Sequence, residues 1–234
     1  MPYEFCNAER AEIVTQQALY DAFNAFVFSP DTKVFGKLIA RALLAERTRH
    51  VPGDIVECGV FKGSGLLTWL KLKKTLFPAA MKKVIGFDFF DTTTLLHSLA
   101  GEDKARMTEL FQERHYAHAA GGQSVIAAAI EAAGFTPAEY ELVPGDIGQT
   151  AQAFVDARPG FKVSVLYLDL DLAAPTLAAL TAFWPRMAKG GIVVLDEYAY
   201  HQWSESQGAD AFFDDKDVTI QSLEFMSPTA YVQR

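Results

Sequence analysis

Cysteine is nearly absent: Cys6 and Cys58 are the two thiols in 234 residues. Two cysteines cannot build a disulfide framework, and Cys58 falls within an apolar run that reads as a buried strand. Apolar runs long enough to span a bilayer are also missing, since a spanning helix needs roughly 20 such residues. No segment has the pattern of a secretory leader, so the expected location is the cytoplasm, with no membrane partner. Basic charge is short as well: 21 Lys and Arg stand against 29 Asp and Glu, a net −8. Nucleic acid is therefore not an expected partner, because phosphate backbones are held by Lys and Arg. Neither the dinucleotide Gly-x-Gly-x-x-Gly pattern nor a phosphate-binding P-loop occurs at the main glycine cluster.

What is present is apolar bulk. Half of the chain is hydrophobic, enough for one sizeable α/β domain over residues 1–234. Residues 54–65 organise it. A short apolar run carries Glu57, breaks at Gly59 and reaches Gly63 and Gly65, after which apolar residues recur at helical spacing through Leu72. The stretch reads as strand, glycine turn and helix, with Ser64 as N-cap. Glycines let a ligand approach the backbone, and a helix start offers free N–H groups. Gly59, Val60, Gly63 and Ser64 are thus candidate ligand contacts.

This turn resembles the first motif of class I S-adenosylmethionine (SAM)-dependent methyltransferases, an acidic-x-Gly-x-x-x-Gly turn after the first strand. The resemblance implies SAM as cofactor, with Gly59 and Gly63 under its methionine part and Glu57 reading its amino end through the loop.

Upstream, residues 8–28 read as a helix bearing Tyr20, Phe23 and Phe26, closed by Ser29-Pro30-Asp31. Residues 32–47 read as a second helix that buries a stripe of Val34, Phe35, Leu38, Ile39, Ala42 and Leu43. The resemblance implies that such helices cover the cofactor or form a dimer contact, hence a homo-oligomer. Arg47-Thr48-Arg49-His50 reads as a solvated helix end.

Downstream, residues 83–91 form an apolar strand ending in acid. An acidic residue at the end of the second strand accepts bonds from ribose hydroxyls in dinucleotide-type folds, so Asp88 is the candidate and Asp91 the reserve. Residues 92–122 are polar and poorly periodic and read as a lid or substrate loop. Their His97, His115 and His118 are irregularly spaced and read as surface residues. Residues 123–134 form an alanine-rich helix closed by Gly134. Residues 140–146 read as the third strand, and the resemblance implies that Asp146 reads the adenine amino group.

The last third is densest in acids. Residues 163–171 form a buried strand ending in Asp169 and Asp171, which share one side if the strand continues. A helix over residues 175–187 and a turn at Lys189-Gly190-Gly191 lead to a second buried strand ending in Asp196-Glu197-Tyr198. Ligands in open α/β sheets bind beyond the carboxyl ends of the strands. Acids crowded there repel one another unless a cation joins them, and a hard divalent ion is the simplest one.

With Gly190-Gly191 and the Gln207-Gly208-Ala209-Asp210-Ala211-Phe212-Phe213 segment, this pattern is similar to the macrocin O-methyltransferase family, from about Asp54 to Asp214. The resemblance implies methylation of a sugar hydroxyl in a natural product, with magnesium on Asp169, Asp196 and Glu197. Asp-Glu-Tyr stands here where Asp-Asp-Tyr is commoner. Asp169 or Asp171 is the candidate base, with His201 behind them. The implied architecture is Rossmann-like: a doubly wound, mostly parallel sheet over residues 51–234, under a helical cover of residues 1–50. Residues 218–225 and 229–234 alternate as a closing antiparallel pair. Two other readings stay open, a catechol-type phenolic O-methyltransferase and a non-catalytic SAM- or nucleotide-binding module.

Overall fold

Five apolar runs become five parallel strands of one sheet. A computed structural model describes residues 17–113 and 122–234. His115, His118 and residues 8–16 of the first expected helix lie outside the described residues, as does Cys6. The strands are β1 (Asp54–Cys58), β2 (Val84–Asp88), β3 (Tyr140–Pro144), β4 (Val163–Leu168) and β5 (Met187–Leu195). Two short ones follow, β6 (Gln221–Ser222) and β7 (Ala230–Gln233). The order across the sheet is β3-β2-β1-β4-β5-β7-β6, with β7 antiparallel to both neighbours. The winding direction reverses between β1 and β4, and that switch point is where a doubly wound sheet opens a crevice. The closing pair is shorter than its alternation predicts, because β6 keeps only two paired residues of the 218–225 run.

Helices cover both faces. On one side α7 (Ile147–Asp156), α8 (Ala173–Phe183) and α9 (Glu205–Phe213) pack on Val56, Cys58, Phe87, Leu166, Leu168 and Val193. On the other, α2 (Thr32–Arg47), α3 (Ser64–Leu76) and α6 (Gln123–Ala132) pack on Ile55, Val84, Val165, Tyr167 and Val194. Alternation along the strands divides these two sets. Each large side chain removed from water, such as Trp69 or Phe183, contributes roughly 1.5–3 kcal/mol.

Several expected elements shift. Residues 92–122 are not a loop, because α4 (Thr92–Ser98) and α5 (Gly101–Glu113) occupy most of them. Asp91 caps α4 by accepting from Thr93 N and Thr94 N. In α5 the buried side chains are Met107 and Phe111, one turn apart, too narrow a stripe to stand out as a period. The N-cap of α3 is Gly63 at φ +87, not Ser64, which begins the helix. Helix α8 ends at Phe183, and a 3-10 turn, Trp184–Arg186, leads into β5. Gly190-Gly191 therefore lies inside β5, in an irregularity where β4 advances from Val163 to Val165 while β5 runs from Met187 to Ile192.

The α2 stripe is the largest departure. Val34 is 53% exposed and Leu43 54%, with Phe35, Leu38 and Ile39 also open. Helix α1 (Gln17–Val27) likewise leaves Phe23 and Val27 exposed. The residues α2 buries are Ala40, Arg41, Leu44 and Ala45. The helix turns a charged flank toward the sheet instead of its most apolar face.

Candidate active site

The site forms where the parallel strands stop. A cavity of about 1360 Å³ lies over their carboxyl ends, and among its lining residues are Gly59, Asp88, Asp146, Asp169, Asp171 and Glu197. Single-ligand pockets run to about 1,000 Å³, so this one has room for two molecules side by side. Four non-glycine residues just past these strand ends adopt left-handed backbone: Phe61 (φ 51), Phe90 (φ 54), Asp171 (φ 61) and Ala199 (φ 64). Such conformations cost on the order of 1–3 kcal/mol each and gather where a chain must aim groups at a ligand.

On the β1–β2 side, the Asp88 carboxylate accepts from Val60 N, Phe61 N and Phe90 N, each at 2.8 Å. It braces the glycine turn from across β2 and still faces the cavity. Asp146 caps α7, accepting from Gly148 N at 2.9 Å. Both keep lone pairs beyond these bonds, so the crevice fits a ligand bearing hydroxyl and amino donors, as SAM does. Gly59 is required for a different reason. A Cβ there would stand 1.9 Å from the Asp169 carbonyl oxygen, so the glycine lets the ends of β1 and β4 meet. Val60, Gly63 and Ser64 do not line the cavity.

Glu57 is not at the ligand face. It points into the α2–α3 layer, 2% exposed, and accepts from Arg41 at 2.9 Å. Burial raises its pKa against the pull of Arg41. The Arg41 guanidinium also lies 4.2 Å from the Tyr167 ring centroid.

The acids on the β4–β5 side fall into three environments. Asp196 is fully buried and accepts three donors. Tyr167 OH donates to its Oδ1, while Ser227 OH at 2.7 Å and Lys37 Nζ at 2.7 Å reach its Oδ2. Burial alone pushes this carboxyl up, but the Lys37 charge and the three bonds outweigh it and hold it below the usual range. Asp169 shares Lys37, at 3.0 Å, yet burial and the Asp196 charge keep it raised. Glu197 pairs with Lys33 at 2.8 Å.

Asp171 differs. No ion pair or hydrogen bond engages its side chain among the described residues, and it lines the cavity. Burial, then the charges of Glu197 and Asp196, push it up to about 7. Asp169 and Asp171 do not share one side of a strand, since β4 ends at Leu168 and Asp171 is left-handed. Both reach the cavity by other means. His201 lines it too, exposed beside Tyr200.

These residues do not fit the expected magnesium. A hard cation needs about six oxygens around one point, whereas both Asp196 oxygens already accept strong donors and an ammonium sits between Asp196 and Asp169. Among the described residues no three His, Cys, Asp or Glu side chains converge on a common point. The sequence reading missed Lys33, Lys37 and Arg41, although their spacing of four was visible. It also missed Tyr167, Ser227 and the apolar wall of Leu95, Leu99, Met107, Leu110 and Trp203 that α4 and α5 bring over the cavity.

The family model for macrocin-O-methyltransferase (TylF) matches residues 38–226. A curated Streptomyces olivaceus protein, 8-demethyl-8-(2,3-dimethoxy-alpha-L-rhamnosyl)-tetracenomycin-C 4'-O-methyltransferase, is 27% identical over 149 residues. That alignment takes in 64% of this chain and 54% of the relative, so the chain spans about half the relative's length. Two solved structures share the fold at a TM-score of 0.69. The O-methyltransferase NovP is 19% identical, with 85% of this chain and 79% of NovP covered. CalS11, a TDP-rhamnose 3'-O-methyltransferase of calicheamicin biosynthesis, is 23% identical, with 96% and 88% covered.

Proposed function

Since the chain belongs to the macrocin O-methyltransferase family, we propose that it transfers a methyl group from SAM to a hydroxyl of a small glycosylated molecule. The observation that carries this reading is Asp171, a cavity-lining carboxylate left without a partner beside acids that all have one. When bound, SAM supplies an electrophilic methyl whose C–S electrons leave with sulfur. Gly59, Asp88 and Asp146 are the residues that would hold it.

The chain's own part is to position the acceptor and take its proton. A sugar hydroxyl is a weak nucleophile at neutral pH, and a carboxylate tuned near 7 is well matched to remove its proton as the oxygen attacks. The wall of Leu95, Leu99, Met107 and Trp203 suits an apolar aglycone and keeps water from the reaction. Alignment of acceptor and donor in that cleft supplies much of the remaining acceleration. His201, exposed at the rim, is better placed to touch the acceptor than to deprotonate it.

The magnesium assistance expected from the acid cluster is not part of this proposal, because Lys37 and Lys33 already engage those acids. We read residues 1–234 as one catalytic unit acting in the cytoplasm. No helix among the described residues is long and apolar enough to cross a membrane. A homo-oligomer would use the open Val34, Phe35 and Leu38 stripe of α2.

The test pairs calorimetric SAM titration with methyl transfer to a panel of deoxysugar glycosides and catechols, on protein sized by light scattering. SAM binding with transfer to a glycoside is expected, and a particle larger than one chain. Asp171→Asn should keep SAM affinity and lose transfer. Turnover of catechols alone would favour the phenolic reading, and SAM binding without turnover a binding module.

A further inference from the structure

One flank of α2 carries Lys33, Lys37 and Arg41, spaced four apart. Residues so spaced rise along nearly one line, here over about 12 Å. Together they meet acids of three strands: Lys33 on Glu197 after β5, Lys37 on Asp196 and Asp169 after β5 and β4, Arg41 on Glu57 in β1. The helix is set for this by Asp31, whose carboxylate caps it through Lys33 N at 2.8 Å and Val34 N at 3.1 Å. Lys33 and Lys37 both precede residue 38, where the family match begins.

We propose that Lys37, backed by Lys33, is the cation of this active site, standing where a divalent metal would bridge the strand-end acids and donating to the acceptor oxygen. The inference rests on the methyl-transfer reading of the same cavity.

Three observations carry it. The first is geometry. The Lys37 ammonium lies 2.7 Å from Asp196 and 3.0 Å from Asp169, so a metal joining these two would have to displace it. Both Asp196 oxygens are already engaged, with Tyr167 on one and Ser227 with Lys37 on the other. The second is charge. Two ammonium groups bring the formal charge of one divalent ion to Asp169, Asp196 and Glu197. The third is access. An ammonium has three N–H donors; two of Lys37's are spent on the acids, and the residue lines the cavity beside Asp171.

The balance of the step is simple. The acceptor O–H proton passes to Asp171, and the freed oxygen pair forms the bond to the methyl carbon. The C–S pair stays on sulfur, and the sulfonium becomes a neutral thioether. The Lys37 N–H steadies the charge that grows on the acceptor oxygen, as a fixed donor does in an oxyanion hole, and nothing is oxidised or reduced.

The deciding experiment is Mn²⁺ titration of the full chain followed by electron paramagnetic resonance, which needs neither acceptor nor turnover. The wild type should leave Mn²⁺ free at equimolar concentration, and its methyl transfer should be unchanged in EDTA. Lys37→Met uncovers the acid pair, so it should gain bound Mn²⁺ and lose transfer about 100-fold. Lys37→Arg keeps the charge and should stay free of Mn²⁺. Tight stoichiometric Mn²⁺ in the wild type would overturn the proposal, and so would transfer lost in EDTA and restored by Mn²⁺. If Lys37→Met does not fold, the wild-type titration and EDTA arms still decide. A chain that takes no SAM in calorimetry would sink the methyl-transfer reading instead, a failure the Mn²⁺ signal does not share.

Discussion

Asp171 and Asp169 are two residues apart and carry the same side chain, yet their surroundings set them different tasks. Asp169 is pinned by Lys37 and serves to hold it. Asp171 turns into the cavity on left-handed backbone, which aspartate tolerates better than most residues. With its carboxyl pushed up to about 7 by burial and by Glu197 and Asp196, it is half protonated near neutrality. A base works only when unprotonated, so kcat/KM should rise with pH through about 7 and level off above it. Asp171→Asn should remove that limb and reduce the rate by roughly 10²–10⁴, the usual yield of a positioned base. A wild-type profile flat between pH 5.5 and 8.5 would exclude Asp171 from this role. The strand-end acids were legible because an apolar run that stops at Asp is a conspicuous pattern. Their partners were not: Lys37 lies 132 residues from Asp169, and no local spacing links the two.

At the scale of elements, the ends of β1 and β4 are forced together at Gly59. Its φ of +91 is costly for any side chain, and a Cβ would meet the Asp169 carbonyl oxygen at 1.9 Å. Gly59→Ala should therefore weaken the fold itself, by about 2–5 kcal/mol from strain and overpacking together. Gly134, at φ +83 with nothing within 4 Å of its added Cβ, is the control, and Gly134→Ala should cost about 1–2 kcal/mol. Urea unfolding of the two variants checks the difference; equal midpoints would mean that the β1–β4 contact can yield. The motif drew notice as a ligand turn, and its glycine is used first to let two strands meet. The inner strands were readable because runs buried on both faces are mostly apolar, whereas the edge strand β3 is only half-buried. Helix α5 was not, since it rests on little more than Met107 and Phe111. In α2 the apolar stripe pointed the wrong way: the residues the helix buries are Ala40, Arg41, Leu44 and Ala45, and Lys33 and Lys37 turn to the strand-end acids.

Across the whole molecule, α2 joins layers that the sheet alone would leave incomplete. It supplies the cations for Glu57 in β1 and for Asp196 beyond β5, so both halves of the winding depend on a helix that precedes them. Arg41 and Glu57 are both buried, with side chains 6% and 2% exposed, and Asp196 is fully buried. Removing one partner of a buried pair costs roughly 3–5 kcal/mol, because the other charge is left without compensation. A whole domain is stable by only about 5–15 kcal/mol. A chain beginning at residue 51 would lose Lys37 and Arg41 together, along with the packing of Leu44 and Ala45. It should not reach a native state, and near-ultraviolet circular dichroism should show fixed aromatic packing lost around Trp69 and Tyr167. The full chain should unfold in one transition, with the same midpoint by fluorescence and by far-ultraviolet dichroism. If the shortened chain instead folds and binds SAM with undiminished affinity, α2 is a detachable lid, and residues 1–234 are not one cooperative unit.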